Sequence, residues 1–222
     1  MPAPVVFVTY KGRDVLTGRM IGTSPTQVEP KQLGWGTGGN SLATGFPFAA
    51  AKTDVAPFFE APEARSASVS SSVVTTTTTN DTYQVVGTIT AGVPETIAEV
   101  FLSDSTTKPY SSTVAAGGVV GSNSATTLNV AASYTPANAT FVQVDSEVMK
   151  VTAGTGTTAL TVTRAQNGSA ALSTILAGDV VTMGNAPGNA TANGTLFVHA
   201  TFTGLALNSG DSLQSTVQVS FT

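Results

Sequence analysis

Through much of this 222-residue chain, apolar side chains recur at every second position. That period most limits what the chain can become, because successive side chains of a strand point to opposite faces. Leu213, Ser215, Val217, Val219 and Phe221 alternate with Ser212, Gln214, Thr216, Gln218 and Ser220, which predicts a strand with one wet face. Tyr83, Val85 and Ile89 share a face in the same way. Further strands are predicted near residues 96–102, 141–144, 148–152, 159–163, 180–183 and 196–203, all rich in Val, Ile, Thr, Phe and Tyr. Helical spacing of good helix formers is confined to residues 49–52 and 170–176. The expected fold class is all-β, with short helical turns.

Composition decides whether such strands build a core. Only 10% of residues are charged, while 37 Thr and 21 Ser supply most of the polarity. A flexible polar tract is excluded by the 41% hydrophobic content and a mean hydropathy of +0.20. The absence of Cys removes disulfides, thiol nucleophiles and cysteine-bound metals. A lone His removes a His-rich metal site, so no cofactor or metal is expected. A net charge of −4 argues against nucleic-acid binding. No run is apolar enough for a membrane helix, and Met1-Pro2-Ala3-Pro4 has no basic signal-peptide region, so synthesis in the cytoplasm is expected.

Punctuation divides the chain. Seven of the 11 prolines fall within residues 1–65; proline has no amide donor for a central ladder, so an extended N-terminal arm with loops is expected. Residues 66–105 together with 195–222 read as an outer β-sandwich domain. Between them, residues 106–194 read as a small inserted β-domain, flanked by low-complexity sequence and placed in a loop, where insertions are tolerated. Inside it, Ala153-Gly154-Thr155-Gly156-Thr157 suits a hairpin loop, and Gln166-Asn167-Gly168 a turn.

Catalytic readings are weak. His199 falls mid-strand and is expected to be half exposed beside a hydroxyl neighbour, with no second His or Cys to complete a triad. Asp145 and Glu147 are two apart, which in a strand puts both carboxylates on one face. Cross-strand pairing with Lys150 and Arg164 explains them better than acid–base work, since the single Trp lies elsewhere. The cluster Gly34 to Gly39 lacks the Lys-Ser/Thr of a phosphate loop and reads as a tight turn presenting Trp35. No catalytic residue is assigned, and the protein is not expected to be an enzyme.

The stretch Val142-Gln143-Val144-Asp145-Ser146-Glu147-Val148-Met149-Lys150-Val151-Thr152, followed by Leu160-Thr161-Val162-Thr163-Arg164-Ala165-Gln166-Asn167-Gly168-Ser169, resembles a β-module of virion proteins of tailed bacteriophages. In that module Gly usually stands where this chain has Ala165. The outer segments Gly34-Trp35-Gly36-Thr37-Gly38, Asp81-Thr82-Tyr83-Gln84-Val85-Val86-Gly87-Thr88, Ile97-Ala98-Glu99-Val100-Phe101 and Leu196-Phe197-Val198-His199-Ala200 also resemble phage structural proteins. The resemblance implies a capsid decoration (cement) protein on the capsid surface of the virion. It would bind and stabilise the assembled shell through the major capsid protein, as a homo-oligomer with a trimer favoured. A tail, baseplate or fibre component is the alternative, and a host-surface carbohydrate-binding module a more distant one.

The partner contacts are expected in the N-terminal arm. Val5, Val6, Phe7, Val8 and Tyr10 form an apolar, β-prone run, and Trp35, Phe46, Phe48, Phe58 and Phe59 follow among prolines. Such aromatics need burial, on this protein's own core or on another subunit. Strand addition to a neighbouring sheet edge is the route open to residues 5–10.

Overall fold

A computed structural model describes residues 5–21, 29–37, 50–54, 56–66, 70–108, 110–118, 120–136, 138, 140–145, 147–183 and 196–221. Three antiparallel sheets and one helix account for its regular structure, so the fold is all-β and sandwich-like.

The alternating C-terminal residues form β13 (Ser212–Ser220), which pairs along its whole length with β4 (Thr82–Thr90); β3 (Ser70–Val74) lies on the other side of β4. Opposite this three-stranded sheet stands a four-stranded one. Its order is β1 (Val5–Val8), β12 (Leu196–Leu207), β5 (Glu95–Ser103) and β2 (Gln32–Gly36). The turns between β4 and β5 and between β12 and β13 carry the chain from one sheet to the other. The sheets share a core in which Leu33, Trp35, Leu102 and Val198 meet Val85, Ile89 and Val219. Burying such side chains is worth about 1.5–3 kcal/mol each.

β5 and β12 are direct partners, and the 111–182 stretch between them builds its own sheet. Its strands are β6 (Ser111–Thr113), β7 (Thr127–Asn129), β8 (Phe141–Val144), β9 (Glu147–Ala153), β10 (Ala159–Thr163) and β11 (Val180–Thr182), in spatial order β6-β11-β8-β9-β10-β7. The sheet curls until its outermost strands meet, through a Val114–Val130 bridge and a bond from Ala131 N to Thr113 O of 2.8 Å. Curling buries a separate core that includes Leu128, Val142, Met149, Val151, Leu160 and Ile175.

The N-terminal stretch differs from the extended arm expected of it. Residues 5–8 pair with β12, and α1 (Tyr10–Met20) follows at once. Thr9 caps this helix by accepting the Gly12 amide at 3.0 Å, while its hydroxyl donates to the Leu196 carbonyl. Gly12 lets the helix lie directly on β12, where an added Cβ would come within 2.5 Å of the Phe197 carbonyl. The described residues of both expected helical windows, 50–52 and 170–176, are not helical. In residues 170–176, Ile175 instead bridges Val120 and fills the curled sheet's core.

Candidate functional site

The four-stranded sheet has a second face, and register fixes what stands on it. Phe7, His199, Phe101 and Gly34 form one cross-strand row; Val5, Thr201, Glu99 and Gly36 form the next. The glycines leave room for their neighbours. A Cβ on Gly34 would lie 2.2 Å from the Phe101 ring, and one on Gly36 would lie 2.2 Å from a Glu99 oxygen. Gly34 and Gly36 therefore belong to a strand that lets two side chains lean across it. Trp35 is not presented by a turn as expected: it lies within β2, points to the opposite face, is buried, and donates its indole N–H to Glu63 at 3.2 Å.

Described residues of the 50–61 stretch cover this face. His199 is fully buried, contrary to the half-exposed position expected. Its Nδ1 lies 2.7 Å from Asp54 and its Nε2 2.8 Å from Glu99. Glu99 also accepts the backbone amides of Phe58 and Phe59, at 2.9 and 2.8 Å, and Asp54 accepts the Ala51 amide at 2.7 Å. With both carboxylates ionised and accepting, each ring nitrogen carries a proton and donates it. Burial by itself lowers the imidazole pKa, but the hydrogen bonds to Asp54 and Glu99 outweigh it and hold the group up at about 9. The result is a charged latch with both ring nitrogens occupied. Arg65 reinforces the cover through a bidentate pair with Glu60, both bonds 2.8 Å, while its guanidinium lies over Phe101.

The covering stretch also touches the curled sheet. Phe58 and Phe59 pack against Phe141 and Val148. These two aromatics thus find their burial within this chain. Beside them opens a cleft of about 470 Å³ lined by Glu60, Glu95, Gln143, Asp145 and Asp179. Burial, then the neighbouring Glu63, pushes the Glu95 carboxyl up to about 8. Burial, then Asp179, raises Asp145.

Asp145 and Glu147 do not form the same-face pair expected. Asp145 sits in the turn between β8 and β9 at a φ of 48°. Glu147 is buried and takes a bidentate contact from Arg164 at 2.6 and 2.5 Å, with the amides of Ala165 and Leu172. Arg164 bridges onward to the carbonyls of Ser122 and Leu172. The Arg-x-Gln-Asn-Gly segment is a folding staple, and Ala165 occupies it at a φ of 52°.

The sequence-predicted contact residues therefore scatter. Trp35, Phe58 and Phe59 are interior, Phe7 and Val8 are half-buried, and Phe46 and Phe48 lie outside the described residues. Val6 and Tyr10 remain at the surface, 52% and 54% exposed, and the structure adds Met20 and Ile21, 86% and 69% exposed. These four are half of the eight large apolar residues exposed among the described residues. Val6 lies on β1, which among the described residues pairs on one side only, with β12. Sequence reasoning missed α1 and the roles of Asp54, Glu99 and Arg65; Thr9 three residues before Gly12 was the one local signal for the helix. The chain matches no family model, no curated protein and no solved structure.

Proposed function

We propose that the protein is a virion structural protein of the capsid decoration class, which binds and stabilises an assembled phage shell through its major capsid protein. The resemblance of residues 142–169 to a phage β-module supports this reading. So does the employment of His199 and Glu147 in folding: His199 is held by two carboxylates, and Glu147 by Arg164 and two amides. The observation that carries the reading is the edge of β1. Among the described residues it leaves one side of an apolar strand without a partner, and main-chain pairing with a strand of another protein is the contact such an edge offers.

Removing residues 1–30 would be a poor test, since it deletes an edge strand, the Thr9 cap and the buried Val15 along with any contact. Val6→Lys is cleaner, because the side chain is half exposed and an edge lysine blocks strand addition. Purified protein is expected to cosediment with capsids that lack it, and Val6→Lys to lose occupancy at an unchanged melting temperature. Failure of the wild type to bind capsids, or binding to isolated tails alone, would overturn the proposal.

A further inference from the structure

Charge is divided unevenly along the chain. Residues 1–52 hold five of the nine cations and two of the 13 acids, a local charge of +3, whereas the rest carries −7. The outer face of α1 brings part of that basic share to one place. Tyr10, Arg13, Thr17 and Met20 recur at helical spacing and all four are exposed, while Gly12 and Val15 are buried on the opposite side. Arg13 lies over the Tyr10 ring at 5.9 Å, Lys11 is next in sequence, and exposed Lys52 approaches the Phe7 ring of β1 at 5.9 Å. The one described acid on the helix, Asp14, faces Lys11 at 3.8 Å in an open, weak pair. Tyr, Arg and Met are the residue types that concentrate in the cores of protein interfaces.

We infer that the β1 edge and the outer face of α1 form one docking surface for an acidic protein surface, with β1 adding main-chain bonds and Lys11, Arg13 and Lys52 supplying the matching charge. Only a protein strand can use the edge of β1 that no described residue pairs. A polyanion such as duplex DNA would instead track phosphates past a body of charge −7, which repels it. The acidic body of the protein thus orients the approach: a partner of like sign is turned away everywhere except at this face.

The inference rests on the capsid reading for its partner, so the experiment separates the two. Binding to decoration-free capsids is measured from about 50 to about 500 mM NaCl for the wild type, the Lys11→Glu/Arg13→Glu variant and a Lys150→Glu control on the curled sheet. Binding to soluble polyglutamate is measured in parallel. The wild type and the control should bind both, more tightly at low salt. The double reversal should lose about tenfold or more at low salt and most of the salt dependence, with an unchanged melting temperature. Equal capsid binding by the double reversal overturns the inference while leaving the capsid reading intact. If the wild type ignores capsids but binds polyglutamate through Lys11 and Arg13, the capsid reading falls and the acidic-partner surface stands. Indifference to polyglutamate, preference for duplex DNA, or self-association abolished by the double reversal each overturns it.

Discussion

Alkaline pH should loosen the cover of the four-stranded sheet through one residue. The buried imidazole of His199 sits between Asp54 and Glu99, with a pKa of about 9 against an ordinary 6.5. A base whose pKa is raised on folding contributes its stability in full below the unfolded pKa and loses it as pH rises through the folded one. At 1.36 kcal/mol per pH unit, a shift from 6.5 to about 9 corresponds to about 3 kcal/mol. For a chain of this size that is roughly 6–12 °C in melting temperature between pH 6.5 and 10. Glu95 titrates in part of the same window, so the melts belong in a Glu95→Gln background. His199 is the chain's single histidine, and its ring C–H signals therefore report its titration without assignment. A midpoint near 9, with an imidazolium at neutral pH and slower exchange of the Phe58 and Phe59 amides below it, is expected. A midpoint at or below 6.5, or a melting temperature flat up to pH 10, would refute the charged latch.

Three further substitutions probe other parts of the fold. The Glu95 carboxyl is raised to about 8, so its penalty on folding grows as pH climbs from 4.5 and is complete above 8. Glu95→Gln should therefore stabilise the protein above that pH, by about 1 kcal/mol after allowance for partial exposure, and not at pH 4; urea melts at the two pH values decide it. Gly36→Ala forces a Cβ to within 2.2 Å of Glu99 and 2.3 Å of the Phe59 carbonyl and should cost about 1–3 kcal/mol with faster hydrogen exchange at Phe58 and Phe59. Gly117→Ala, whose Cβ meets nothing within 4 Å, is the control. Ala165→Gly relieves a left-handed alanine at φ 52° and should raise stability by about 0.5–1 kcal/mol, against an unchanged or lowered denaturation midpoint if the turn is not strained.

Alternation was clearest in sequence for strands with one dry face, whereas β5 and β12, buried on both faces over much of their length, were read from their β-branched and aromatic content. Leu213, Val217 and Val219 of β13 turn inward while Gln214, Thr216 and Gln218 stay wet, so the period survives intact. The turn at Asn167-Gly168 was legible because its residues tolerate positive φ, and both adopt it. β2 hides a strand behind two glycines, whose missing side chains are replaced by Phe101 and Glu99 leaning across from β5. α1 contains Gly12 and Gly18 and offers little apolar pattern, since its stability comes from the Thr9 cap and contact with β12. Proline marked residues 1–65 as arm and loops, and the described residues of the 50–61 stretch lie in no named strand, but β1 and β2 of the same range join the four-stranded sheet. It gave no hint that the Glu99 carboxylate, 40 or more residues away, would take up the Phe58 and Phe59 amides. The Asp54–His199–Glu99 constellation joins three distant points of sequence, and local spacing carries no trace of it.

The proposed role as a coat component held by contact is tested most directly by the protein's copy number in purified particles, measured by quantitative mass spectrometry against the major capsid protein. A number comparable to that of the major capsid protein is predicted, lowered by Val6→Lys and by Lys11→Glu/Arg13→Glu. A number that matches the tail components, or absence from the particle, would contradict it.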